Sequence, residues 1–152
     1  SVVNCTIDGA SLGATGIFIA NSTDQDQIVA NNIFTNNTFG IATGDAWDLA
    51  ESYNDFWLNT NNAVYTSGVD LLPAILSATD MAFKPLFRFS DPNDYRLSPY
   101  SRLINRGASI PAYNYLKLQT ALDIGAYEVN GQILPVGRNW GQPKYIWGRL
   151  SK

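Results

Sequence analysis

The 152-residue sequence contains no histidine and a single cysteine, Cys5. Without histidine there is no Ser-His-Asp triad, no Cys-His pair and no imidazole to ligate a metal, and the commonest general base is missing. One cysteine excludes an intrachain disulfide and a thiolate metal cluster; Cys5 reads most simply as a small buried hydrophobe. Charge is sparse, at 15% of residues against 45% hydrophobic, a balance that excludes a disordered chain and a coiled coil. No apolar run approaches the ~20 residues that a membrane-spanning helix needs. No cofactor and no metal site is expected. Positive charge is missing from the whole first half, where the first Lys or Arg is Lys84. Residues 1–83 carry nine acids and no base, a net of −9; residues 84–152 carry ten bases and four acids, a net of +6, which leaves −3 overall. Such asymmetry suits two halves that neutralise each other, within one molecule or between protomers, or a basic half that docks onto an acidic neighbour or a polyanion.

What is present is a phrase that recurs. Val29-Ala30-Asn31-Asn32-Ile33-Phe34 is followed by an Asn/Thr turn and then Gly40-Ile41. Ser52-Tyr53-Asn54-Asp55-Phe56-Trp57 is followed by a similar turn and Ala63-Val64-Tyr65. A looser copy, Val2-Val3-Asn4-Cys5-Thr6-Ile7, precedes both, with Gly16-Ile17-Phe18-Ile19 behind it. Registering Asn4, Asn31 and Asn54 gives steps of 27 and 23 residues, within the range of ~20–50 residues that marks repeat architectures. Each unit is two short runs rich in residues that favour a pleated surface, joined by Asn and Gly that accept left-handed backbone angles. That is the content of one coil of a β-solenoid. One coil cannot bury its apolar face alone, so coils stack, and a stacked Asn can pass amide hydrogen bonds from coil to coil. The spacing predicts such a ladder at Asn4, Asn31 and Asn54.

Residues 1–80 are therefore expected to form the coils and a short lid. Gly44–Glu51 is a longer excursion in which Trp47 stands between Asp45 and Asp48. An aromatic between acids can stack on a sugar ring while the acids accept its hydroxyls; the alternative is a Trp folded back over its loop. Val69–Ala78 has helical spacing of apolar residues, with Asp70 as a cap and Pro73 in the first turn, so a short helix or irregular lid is expected over the last coil. From Met81 onward Pro, Asn, Asp and Gly punctuate short apolar pieces, the signature of loop-rich packing.

Several phrases occur here in a fixed order: Tyr53-Asn54-Asp55-Phe56-Trp57, then Pro85-Leu86-Phe87, then Asp91–Gly107 (DPNDYRLSPYSRLINRG), then Asp123-Ile124-Gly125-Ala126-Tyr127-Glu128. This order resembles the C-terminal portion of right-handed parallel β-helix repeat proteins of the pectate-lyase-like superfamily, carried on secreted bacterial proteins and on phage. The resemblance covers about residues 29–128. It departs at Ser101-Arg102-Leu103-Ile104-Asn105, where the family has Ser-Pro-Ala-Ile-Asp, and at Lys84, which replaces an acid before Pro-Leu-Phe. It implies an all-β, right-handed parallel β-helix, with residues 81–128 as a C-terminal cap of the same domain. An open β-helix end invites aggregation and is usually covered, so Phe83, Leu86, Phe87, Leu97, Ile104, Ile124 and Tyr127 are expected to lie across that end.

Residues 129–152 fall outside the resemblance and read as an extended arm. Interfaces are enriched in Trp, Tyr and Arg, so Arg138, Trp140, Tyr145, Trp147 and Arg149 are candidates for an assembly contact with other copies of the chain or other subunits. Nucleic acid is a poor fit to so acidic a first half. A β-helix that opens at Ser1 inside a strand is expected to stack on an upstream segment or another subunit. The function expected is non-enzymatic: a structural or surface-recognition protein, extracellular or on a virion (fibre, spike or decoration), or a secreted glycan-binding module, with Asp45, Trp47 and Asp48 as the ligand residues. The alternative is a polysaccharide lyase or glycoside hydrolase. The resemblance implies that a lyase would use Arg or Lys with calcium, and residues 1–65 supply neither base. A hydrolase needs two carboxylates, about 5–5.5 Å apart for retention or ~6.5–9.5 Å for inversion, for which Asp45, Asp48 and Asp55 are the local set.

Overall fold

The computed structural model describes residues 1–9, 13–20, 27–44, 49–88, 94–110 and 122–127. All regular structure among them is β, in ten strands: β1 Val2–Val3, β2 Thr6–Asp8, β3 Thr15–Ile19, β4 Ile28–Ala30, β5 Ile33–Thr35, β6 Phe39–Thr43, β7 Ala50–Ser52, β8 Asp55–Trp57, β9 Asn61–Ser67 and β10 Asp70–Pro73. They fall into three sheets, β1-β4-β7, β2-β5-β8 and β3-β6-β9-β10, and every pairing except β9 with β10 is parallel. Each repeat unit therefore contributes one strand to each sheet, in the same order. The arrangement is consistent with a parallel β-solenoid.

The corners explain why strands of two or three residues suffice. One left-handed residue separates the first strand of a rung from the second: Asn4, Asn31 and Tyr53, with φ of 52°, 57° and 54°. Another separates the second from the third, at Asn36 and Leu58, with φ of 57° and 55°. A single left-handed residue between extended runs turns the chain without a loop, and Asn tolerates that conformation best among residues with a side chain.

The residue after each left-handed corner carries the ladder. Asn54 Oδ1 accepts from Asn32 N at 3.1 Å and from Asn32 Nδ2 at 3.0 Å. Asn32 Oδ1 accepts from Cys5 N at 2.9 Å, and Asn54 N donates to Asp80 Oδ1 at 2.7 Å. The second corner repeats the device: Asn59 Oδ1 accepts from Asn37 N and Nδ2, both at 3.0 Å. The expected ladder of Asn4, Asn31 and Asn54 is thus one residue out of step at its second move. Asn4 and Asn31 are equivalent, but Tyr53, not Asn54, stands above Asn31, and the step is 22 residues. The reason lies in the core. A shift of one residue exchanges the faces of a strand, and only the 22-residue step puts Phe56 over Phe34.

Ile7, Phe34 and Phe56 form the inward column of the second sheet. The two Phe rings stack at 5.1 Å with planes 9° apart. Val29, Ile41, Leu49 and Ala63 complete this core from the other two sheets and their edges. Gly16 and Gly40 leave room for it: a Cβ on Gly40 would lie 2.5 Å from Asn62 O and 3.1 Å from the Phe56 ring.

The expected helix over Val69–Ala78 is not formed. Asp70–Pro73 is strand β10, antiparallel to β9 with Asp70 opposite Ser67. Gly68, at φ 65°, makes the two-residue turn. The last strand of a parallel sheet presents unpaired backbone groups, and a hairpin onto β9 satisfies them where a helix would not. Ala74 and Leu76, just beyond β10, pack on the first core.

The segment expected across the end of the stack lies along its flank. Ile33, Leu97, Leu103 and Ile124 are buried together, with Met81, Phe83, Phe87 and Ile104 against them. This second core rests on the outward face of β2-β5-β8. The flank is tied to the first corner by Asn31, whose side chain donates to Ala108 O and accepts from Ala108 N, both at 2.8 Å. Gly125 N donates to Asn31 O at 2.9 Å. The physical reason is Ile33: it points outward from β5, is fully buried, and would otherwise expose a large apolar side chain on the stack's side.

A candidate ligand cleft on the flank

The alternation that sends Ile7, Phe34 and Phe56 inward sends Asp8, Thr35 and Trp57 outward. These three are in register across β2, β5 and β8. Beside them the flank brings Lys84, Phe87 and Tyr95, and a cleft of about 250 Å³ opens between the two sides. Pockets for drug-sized ligands run ~300–1,000 Å³, so this one has room for a single small ring.

The polar groups in the cleft are braced. Asp8 Oδ1 accepts from Asn36 Nδ2 at 3.0 Å and Oδ2 accepts from the Tyr95 hydroxyl at 3.2 Å. Burial first, and Asp8 second, push the Tyr95 phenol up from its ordinary value. Tyr95 packs edge-on against Phe87, centroids 5.4 Å apart and planes at 88°, so its ring is fixed on one side by an aromatic and at its tip by a carboxylate. Phe87 is positioned in turn by a bridge to Leu97. At the rim Asp94 takes Arg96 in a two-point contact, Nε to Oδ1 at 2.7 Å and Nη2 to Oδ2 at 2.6 Å; this pair raises the guanidinium further above its ordinary value. Lys84, also in the lining, is exposed. A half-buried indole, a phenol and a ring of fixed acceptors form a surface on which an apolar ring face can stack while its hydroxyls donate.

Two other carboxyl groups are shifted. Asp55 is fully buried on the outer face of β8. Its Oδ1 accepts from Phe83 N at 2.8 Å, Oδ2 has no partner among the described residues, and burial raises its pKa to about 7. Glu51 in β7 is raised to about 8, first by burial and then by facing Asp80.

Of the residues expected to act, the structure places Asp55 under the flank, sealed from solvent rather than open to a substrate. Asp45, Trp47 and Asp48 lie outside the described residues, as do Arg138, Trp140, Tyr145, Trp147 and Arg149. Nothing brings Asp55 to the cleft, which is built from Asp8, Asn36, Trp57, Lys84 and Tyr95, none of them expected from the sequence to hold a ligand. The signal for Trp57 was available: once Phe56 points inward, the next residue must point out. Tyr95 carried no comparable signal, because it stands in an irregular segment with no periodicity to read. Among the described residues no helix is long and apolar enough to cross a membrane. The chain matches no protein-family model, no curated protein and no solved structure.

Proposed function

We propose that this chain is part of a right-handed parallel β-helix of the pectate-lyase-like type that recognises surfaces without catalysis, in a secreted glycan-binding module or a virion-associated fibre, spike or decoration protein. Its ligand is a glycan, held one ring at a time in the flank cleft. The observation that carries this reading is Trp57, set outward in register with Asp8 and lining the same cleft as Tyr95. An indole beside fixed hydrogen-bonding groups is what a sugar ring requires of a protein. The parallel three-sheet stack supports the β-helix reading, and the order of the Tyr53–Trp57, Pro85–Phe87, Asp94–Pro99 and Asp123–Glu128 phrases supports its family type.

A lyase or hydrolase reading has less to support it. Asp8 is engaged by Asn36 and Tyr95, Asp94 is engaged by Arg96, and Asp55 is buried. The test is a glycan array followed by titration of the best hit, with wild type and Trp57→Ala side by side. Binding that disappears in Trp57→Ala, with a melting temperature within a few degrees of wild type, supports the reading. Binding that survives the substitution moves the site elsewhere, and turnover of any bound glycan overturns the non-enzymatic assignment.

A further inference from the structure

The end of the strand stack is closed by residues 74–80, and one side of that closure rests on two facing carboxyl groups. Glu51 in β7 is 9% exposed. Its Oε1 accepts from Ser77 N and its Oε2 from Asn54 Nδ2 at 3.3 Å. Asp80 Oδ1 accepts from Asn54 N at 2.7 Å, with Asn54 Nδ2 at 3.5 Å. Asp80 Oδ2 is buried and has no partner among the described residues. Protein N–H groups thus reach both oxygens of Glu51 and one of Asp80, and the fourth oxygen is left over.

Asn54 decides what can lie between these carboxyls. Its orientation is set by the ladder, because Oδ1 takes both Asn32 donors while Nδ2 gives to Val29 O at 2.9 Å. It therefore turns N–H, not oxygen, toward Glu51 and Asp80. A bound cation would face that donor, whereas a proton would not. We propose that Glu51 and Asp80 share one proton, and that this proton latches segment 74–80 over the end of the core.

Among the described residues no further charge faces the pair. β4 is Ile-Val-Ala, residues 74–79 are uncharged, and Asp55 of β8 lies on the opposite face, in register with Ile33. Tyr53, at the adjoining corner, donates its backbone N–H to Thr79 Oγ1 at 3.1 Å. When the segment is closed, burial and Asp80 hold Glu51 near 8; when it opens, the carboxyl returns to its ordinary value of 4.5. Opening then releases one proton between these two values. The latch is complete below about pH 4.5 and weakens as pH rises toward 8, and the opening equilibrium grows ~tenfold per pH unit across that window before levelling off.

The experiment is hydrogen exchange at the Ser77 and Asn54 amides, corrected for intrinsic rates, at pH 5, 6, 7 and 8. Wild type, Glu51→Gln and Asp80→Asn are compared, with the Asn32 amide as an interior reference. Protection at Ser77 and Asn54 is expected to fall ~tenfold per unit in wild type, to change little with pH in Glu51→Gln, and in Asp80→Asn to level off at a lower pH than in wild type, because burial alone still raises Glu51, while Asn32 stays more protected. A flat wild-type profile overturns the proposal. So does an unchanged pH profile in both variants, or protection at Ser77 equal in size to that at Asn32, which would tie the proton to global unfolding. If Glu51→Gln does not fold, Asp80→Asn and the wild-type slope still decide the matter.

Discussion

Phe34 and Phe56 lie ring over ring on consecutive rungs, 5.1 Å apart and 9° from parallel. This contact fixes the rung register, because a shift of one residue would put Asp55 or Trp57 in the core instead. Both rings are almost fully buried. Phe56→Ala is expected to cost ~3–5 kcal/mol through lost burial and the cavity left behind, and Phe56→Leu less. Urea denaturation gives the value. A loss below ~1 kcal/mol for Phe56→Ala would mean that register is held elsewhere.

The Asn ladder makes a second, separable prediction. Removing the Asn54 side chain strips the buried Asn32 N and Nδ2 of their shared acceptor and frees Val29 O. An orphaned buried donor costs ~1–3 kcal/mol, so Asn54→Ala is expected to destabilise by at least that amount. Asn4→Gly, which leaves the left-handed backbone at φ 52° without steric cost, removes a side chain whose Oδ1 has no partner among the described residues and is expected to cost less. Equal losses at the two sites would refute the assignment of the ladder to the residue after the corner.

The two positions also mark how far the sequence could be read. The repeat, the β content and the approximate rung length followed from local chemistry: short apolar runs, Asn turns and a Gly at the same place in successive units. The ladder was misplaced at Asn31 because a run of two Asn offers two registers, and hydrogen-bonding capacity does not choose between them. Phe on Phe does, and that is a packing fact. The stretch around Asp70 read as a helix because apolar spacing says nothing about the free edge of β9 nearby. The cleft was hidden for a similar reason. Trp57 and Tyr95 are 38 residues apart in the chain and line one cleft because Ile33 draws the flank onto the second sheet.

Leu58 is the clearest site for a gain in stability. It sits in the left-handed region at φ 55° and is 68% exposed. Its equivalent on the rung before is Asn36, at φ 57°. A bulky L-residue in that conformation costs roughly 1–2 kcal/mol, and little packing is lost by replacing one so exposed. Leu58→Asn is expected to raise stability by ~1 kcal/mol and the melting temperature by a few degrees. A melting temperature that falls would show that Leu58 contributes more through the cleft wall than its exposure implies.

Asp55 should make stability depend on pH in a way distinct from Glu51. Burial raises it from 3.8 to about 7 in the folded protein, so the folded state holds a proton that the unfolded state gives up. The stabilisation is complete below about pH 3.8 and is lost progressively as pH rises toward 7. One such proton corresponds to a slope of ~1.4 kcal/mol per pH unit inside that window, and the total is of order a few kcal/mol. Glu51 adds a second proton in an overlapping but higher window. Asp55→Asn keeps an acceptor for Phe83 N and removes the charge. Above pH 7 it is expected to be more stable than wild type, and its remaining dependence should be that of Glu51 alone. Denaturation midpoints from pH 4 to 9 for wild type, Asp55→Asn and the double variant with Glu51→Gln should show the slope falling in two steps. A slope in Asp55→Asn equal to that of wild type from pH 4 to 7 would mean that Asp55 is ionised in the folded protein.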